Sequence, residues 1–159
     1  MKLFVCILFI VSLIALHCQR SEPVPDPAGV RNEAQRVLDA MSDSLRSGGL
    51  TGWIPFLHNS PEFTWEFHGH ASSYDTLVAQ IRREAPRYRS IQLAWDSVTA
   101  ESAGQNVAHV TARFVENVVD VARVEETLAG TVDCEIRKVD GVWKFTKGRT
   151  VDGASRVIK

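Results

Sequence analysis

His68 and His70 close the stretch FTWEFHGH, residues 63–70, and are the first side chains whose type and spacing suggest chemistry. Two imidazoles at i and i+2 stand on one face of a strand and can both reach a metal ion, but a metal site needs three or four ligands. The other histidines beyond the leader, His58 and His109, have no motif spacing to this pair, and the chain holds neither a His-Glu-x-x-His run nor a cysteine pair. Phe63, Trp65 and Phe67 alternate with Thr64, Glu66 and His68. With the aromatics facing inward, that alternation turns both histidines outward. The expectation is a pocket wall running into a solvated turn at Gly69, with no metal and no cofactor.

Acid–base catalysis asks for a desolvated acid or base with a shifted pKa. The catalytic candidates are His109 and Glu126. Nucleophilic catalysis has no Gly-x-Ser-x-Gly elbow to rest on, and no Gly-rich phosphate loop follows a strand. The aromatic residues carry more. Trp65, Phe67, Trp95, Phe114, Trp143 and Phe145 are expected to line an apolar cavity, core at depth and pocket wall nearer the mouth. Lys147 and Arg149 share strand parity with Trp143 and Phe145, so at the mouth they are expected to hold a carboxylate, Arg149 in bidentate fashion. Arg113 has the opposite parity to Ala112 and Phe114 and faces the other way. The basic cluster of Arg82, Arg83, Arg87 and Arg89 reads as a solvated helix end.

These residues need elements to position them. Asp26-Pro27 is a helix start, and Val30, Ala34, Val37, Leu38, Met41 and Leu45 recur as one apolar stripe until Gly48-Gly49. Thr51 caps a short second segment holding Trp53, Ile54, Phe56 and Leu57, closed by Pro61. The FTWEF strand follows. Ser72 with Asp75 reads as a capping box, opening a helix from Tyr74 to Ala85 with Leu77, Val78 and Ile81 inward. Alternation then predicts strands around Ile91–Trp95, Ala108–Phe114, Leu128–Ile136 and Val142–Val151, with Asp140-Gly141 as the hairpin turn between the last two. Helices first and an antiparallel meander after make an α+β fold. A strongly curved sheet wrapped over the long N-terminal helix would form a cone open at one end.

The chain has 159 residues and a formal net charge of −1, with 45% hydrophobic and 23% charged residues. That suffices for one domain with a sizeable core and leaves no basic stripe for nucleic acid. Met1-Lys2 is followed by an uncharged run from Leu3 to Leu16, the length of an export-signal core and short of the roughly 20 residues of a membrane span. Cys18 follows as the expected lipid anchor of a cell-envelope or periplasmic lipoprotein, with simple cleavage and secretion as the alternative. Residues 1–18 thus read as a signal peptide, 19–27 as a Pro-rich tether, 28–153 as the domain and 154–159 as a tail. Cys134 is the one cysteine left in the domain, expected as a small buried hydrophobe.

Ser47-Gly48-Gly49-Leu50, FTWEF, Tyr74-Asp75-Thr76-Leu77, Val110-Thr111-Ala112-Arg113-Phe114 and Gly141-Val142-Trp143-Lys144-Phe145, in that order from about Val30 to Val151, resemble the SnoaL-like branch of the nuclear transport factor 2-like superfamily and its domains of unknown function. The resemblance implies a cone of the cystatin-like roll type, a pocket between helix and sheet, and a homodimer through the outer sheet face. It departs from the family in two places. Ketosteroid-isomerase-like members carry a carboxylate base near Leu57–Phe63, where Glu62 is the only acid. Relatives ending in a His-x-His strand are matched here by Lys147 and Arg149. The resulting expectation is a non-catalytic module binding a small hydrophobic, anionic ligand. The alternatives are an isomerase, dehydratase or cyclase in the same pocket, and an interaction protein with a closed cone.

Overall fold

The computed structural model describes residues 27–153 and 156–158. The leader, Cys18 and the tether up to Asp26 lie outside the described residues. Helix α1 runs from Pro27 to Gly48. Ala34, Leu38, Met41 and Leu45 are buried along one stripe, while Glu33–Arg36 and Asp43–Arg46 pair on the solvent side. A 3-10 segment, Gly49–Phe56, brings Trp53 back beneath the helix. Strand β1, Thr64–Phe67, then turns into β2, His70–Ser72, through His68 and Gly69 at φ 50° and 78°. Positive φ at both central positions is the hairpin turn whose twist matches its strands.

Helix α2 covers Tyr74–Glu84 and buries Leu77, Val78 and Ile81. Its cap is Ser73, whose Oγ accepts from the Thr76 N–H at 3.4 Å. The expected cap, Ser72, instead ends β2 and pairs with Trp65. A 3-10 turn, Ala85–Arg87, leads into β3, Tyr88–Gly104, followed by β4, Val107–Asp120, β5, Glu125–Val139, β6, Val142–Asp152, and β7, Arg156–Ile158. Asp140 and Gly141, at φ 50° and 81°, make the β5–β6 turn as expected. The segment read as a tail adds β7 to β5.

The sheet order is β2-β1-β6-β5-β4-β3, with β1 parallel to β6 and the long strands antiparallel. The sheet curls without closing, and α1 packs into its concave side, chiefly against β3. This is the expected α+β cone. Trp95 fastens helix to sheet. Its Nε1–H donates to the Leu38 carbonyl at 3.0 Å and to Ser42 Oγ at 2.9 Å, so a polar atom taken out of water keeps its partners.

Two register shifts decide which residues face inward. In β3 a bulge between Trp95 and Ser97 places Asp96 outside, where it pairs with Arg113 at 2.7 Å. In β6 Phe145 stands opposite Ile136 and Lys147 opposite Glu135, leaving Thr146 as the extra residue. A bulge puts two residues against one and exchanges the faces beyond it. Thr146 is held there by donating to Glu135 Oε1 at 2.7 Å.

Candidate functional site

The wide end of the cone holds an apolar cavity of about 180 Å³. Helix α1 contributes Met41 and Leu45 to its wall, the 3-10 segment Leu50 and Trp53, and β1 Trp65 and Phe67. From the long strands come Leu93, Trp95, Phe114, Glu116, Val132, Phe145 and Thr150. The rings support one another edge to face. Trp53 and Trp65 have centroids 5.1 Å apart at 87°, Trp65 and Phe145 5.7 Å at 89°, and Trp95 and Phe114 6.2 Å at 72°. Such arrangements set the positive ring edge against the negative face. Trp65 is anchored by its Nε1–H, which donates to Thr150 Oγ1 at 3.1 Å.

Five of the eight residues expected to contact a ligand line this cavity: Trp65, Phe67, Trp95, Phe114 and Phe145. The other three lie elsewhere. Trp143 stands across from Lys138 in the β5–β6 pair, and the Lys138 Nζ lies 5.9 Å from its ring centroid. Lys147 and Arg149 are exposed on the outer face, where Arg149 pairs with Asp133 at 2.9 Å. The parity argument that put them at the mouth fails at Thr146, because the bulge hands the inward positions to Gly148 and Thr150. The cationic mouth is therefore absent from this cavity.

Neither catalytic candidate reaches the cavity. His109 is exposed on the outer face of β4, opposite Glu101 and Glu135. Glu126 stands opposite Val118 on β4 and is not part of this cavity's wall. His68 and His70 are exposed around the β1–β2 turn. Among the described residues, no group of three or more His, Cys, Asp or Glu side chains is placed to hold a metal ion.

The ionisable group that does reach the cavity is Glu116, which was not among the catalytic candidates read from the sequence. It had a visible signal. On β4 Ala108, Val110, Ala112, Phe114 and Val118 are buried on one face, and Glu116 is the one charged residue of that parity between Ala108 and Val118. Trp53, read as apolar filling, also lines the wall, and its Nε1–H is buried without a hydrogen-bond partner.

A second cavity of about 240 Å³ lies between α2 and the sheet, lined by Leu77, Gln80, Ile81, Glu84, Tyr88 and Ile91 among others. Glu84 is held below the ordinary carboxylate range by hydrogen bonds from Arg83 and Arg87. Burial pushes the Tyr88 phenol up, and the charges of Glu84 and Glu116 push it further. A small polar cleft of about 40 Å³ gathers His58, Glu135, Thr146 and Lys147. Glu135 is held low there by the Thr146 hydroxyl and then by Arg137.

No family model matches the chain, and no curated protein matches its sequence. Solved structures do match over most of its length. Hexachlorocyclohexane dehydrochlorinase LinA-type3 from Novosphingobium barchaimii aligns with a TM-score of 0.65 at 12% identity, over 82% of this chain and 91% of that one. A nuclear transport factor 2-like superfamily protein from Salmonella enterica serovar Typhimurium aligns with a TM-score of 0.68 at 12% identity, over 81% and 94%. An NTF-2-like protein of unknown function from Shewanella oneidensis aligns at 0.58 and 13%, over 75% and 96%. Likeness at these identities speaks to architecture and leaves activity open. The chain has the nuclear transport factor 2-like fold.

Proposed function

We propose that the protein is an exported domain that binds a small, largely apolar molecule in the wide end of its cone without converting it. The observation that carries this reading is the aromatic wall around the 180 Å³ cavity, built by three indoles and three phenyl rings with few polar atoms among them. An apolar cavity of roughly 150 Å³ is enough to take up benzene, so this one admits a ring-sized group. The hydrophobic gain is of order 25 cal/mol per Å² of apolar surface removed from water. Export rests on the Leu3–Leu16 run and Cys18, and a homodimer through the outer sheet face follows from the fold resemblance. Native mass spectrometry of the purified protein tests binding. A retained small molecule of unchanged composition supports the reading; repeated recovery of protein that takes up no apolar compound opposes it.

A second reading has one observation in its favour. Glu116 sets a carboxylate on the cavity wall, and a single carboxylate serves as a general base when a substrate proton lies within hydrogen-bond reach. One solved neighbour is named as a dehydrochlorinase. An isomerase-, dehydratase- or cyclase-type enzyme would change the mass or isomer ratio of a retained compound, and Glu116→Gln would abolish that change.

A further inference from the structure

The wide-end cavity and the one between α2 and the sheet share part of their walls: Leu50, Trp53 and Phe67 line both. Their volumes are about 180 and 240 Å³. Each alone is smaller than the roughly 300–1,000 Å³ of an ordinary small-molecule site, and together they fall within it. Trp53 and Phe67 meet edge to face, with centroids 6.1 Å apart at 81°, so the boundary that the cavities share is largely ring surface.

The two ends differ in polarity. The wide-end wall is apolar but for Glu116 and Thr150, and the Thr150 hydroxyl already accepts from Trp65. The wall beside α2 adds Gln80, Glu84 and Tyr88. Glu84 is engaged with Arg83 and Arg87. Burial, and then the charge of Glu84, pushes the Tyr88 phenol up, so at neutral pH it is a hydroxyl able to donate a hydrogen bond. Neither wall contains Lys, Arg or His, so a carboxylate buried there would go without a cation to pair with.

We propose that the two cavities form one elongated site for a neutral amphiphile, whose apolar end lies in the wide end of the cone and whose carbonyl or hydroxyl head accepts a hydrogen bond from Tyr88. This rests on the apolar-pocket reading above and deepens it. The ligand gains a length, an orientation and an uncharged head in place of the anionic one. The aromatic wall holds the molecule, and Tyr88 discriminates among heads.

The test titrates two probe series at pH 7, followed by methyl-resolved NMR: ethyl-, butyl- and hexylbenzene, then 4-phenyl-2-butanone, 6-phenyl-2-hexanone and 8-phenyl-2-octanone. Ethylbenzene is expected to shift Met41, Leu45 and Val132, which line the wide-end cavity. Hexylbenzene is expected to shift Leu77, Ile81 and Ile91 as well, which line the other. Affinity is expected to rise roughly fourfold per added methylene. Tyr88→Phe is expected to weaken at least one ketone about fivefold, the size of one neutral hydrogen bond. Hexylbenzene is expected to bind that variant unchanged, which also reports that it is folded. The anion 6-phenylhexanoate is expected to bind more weakly than 6-phenyl-2-hexanone. Four results overturn this inference and leave the pocket reading standing: wide-end shifts alone with every probe, ketone affinities that all survive Tyr88→Phe, a loss shared equally by hexylbenzene, or a carboxylate that outbinds its ketone. Failure of every probe to bind overturns both.

Discussion

The Trp65 indole fills the space that a side chain at position 148 would need: a Cβ placed on Gly148 would stand 2.5 Å from Trp65 Cζ3. The two residues are register partners across the parallel β1–β6 pair, so the β6 backbone serves as the floor on which the cavity's central ring rests. Gly148→Ala is expected to push Trp65 off that floor. Overpacking of this kind costs about 1–3 kcal/mol. Thermal unfolding would show the loss, and a shift of the assigned Trp65 indole N–H resonance in NMR spectra would show that the displaced ring is Trp65 rather than a distant group.

The Trp65 hydrogen bond to Thr150 gives a second prediction. Thr150→Val keeps the shape and removes the acceptor, leaving a buried indole N–H without its bond. The expected cost is about 1–3 kcal/mol, read by denaturant midpoint. A midpoint equal to that of the parent protein would mean that the indole is held by packing alone.

Thr146 marks the place where inward and outward exchange, and it makes a pH prediction. Its hydroxyl is the chief reason the Glu135 carboxyl is held below its ordinary value. A depressed folded value contributes stability above the ordinary glutamate range, and that contribution is lost as pH falls through the depressed value. Thr146→Val is therefore expected to be less stable than the parent at neutral pH, with the gap narrowing on acidification through that window. NMR titration of the Glu135 carboxyl would show its value rising in the variant. A gap that widens in acid would contradict this.

The same residue explains how far the sequence could be read. Alternation located β1, β4, β5 and the Asp140-Gly141 turn, because their inward residues are strongly apolar and evenly spaced. It under-measured β3, whose second half after Trp95 is polar and exposed on alternate residues, and it passed over the three-residue β2 because His68-Gly69 is an uncommon turn pair. Above all, parity carried Lys147 and Arg149 to the wrong face, since an inserted residue leaves no mark in a string of alternating types. Glu116 was legible by the same parity rule, since it shares the face of Ala112 and Phe114, but a lone acid in an alternating strand carries no motif that marks it as part of a site.

Lys147 and Arg149 supply the converse prediction. Each is exposed, and the Arg149–Asp133 pair lies on the surface, where such pairs contribute about 0–1 kcal/mol. The double change Lys147→Ala, Arg149→Ala is expected to leave cavity ligand affinity unchanged within error. A selective loss of carboxylate binding would restore the cationic mouth.

Cys134 is buried, and burial pushes its thiol up to about 12. The thiolate is the reactive form, so native protein at pH 8 is expected to resist iodoacetamide over hours at this position. Unfolded protein is expected to alkylate within minutes. Rapid native modification, mapped by peptide mass, would show that the β5 core opens far more readily than its packing implies.

The most direct test of the central claim is a methyl-resolved NMR titration with butylbenzene. If the wide end of the cone is a binding cavity, Met41, Leu45, Leu93 and Val132, which line it, shift together and saturate with one constant, while the exposed Val115 and Val151 do not move. Saturating shifts on the outer valines with the cavity methyls silent would contradict the account and place recognition on the sheet's outer face.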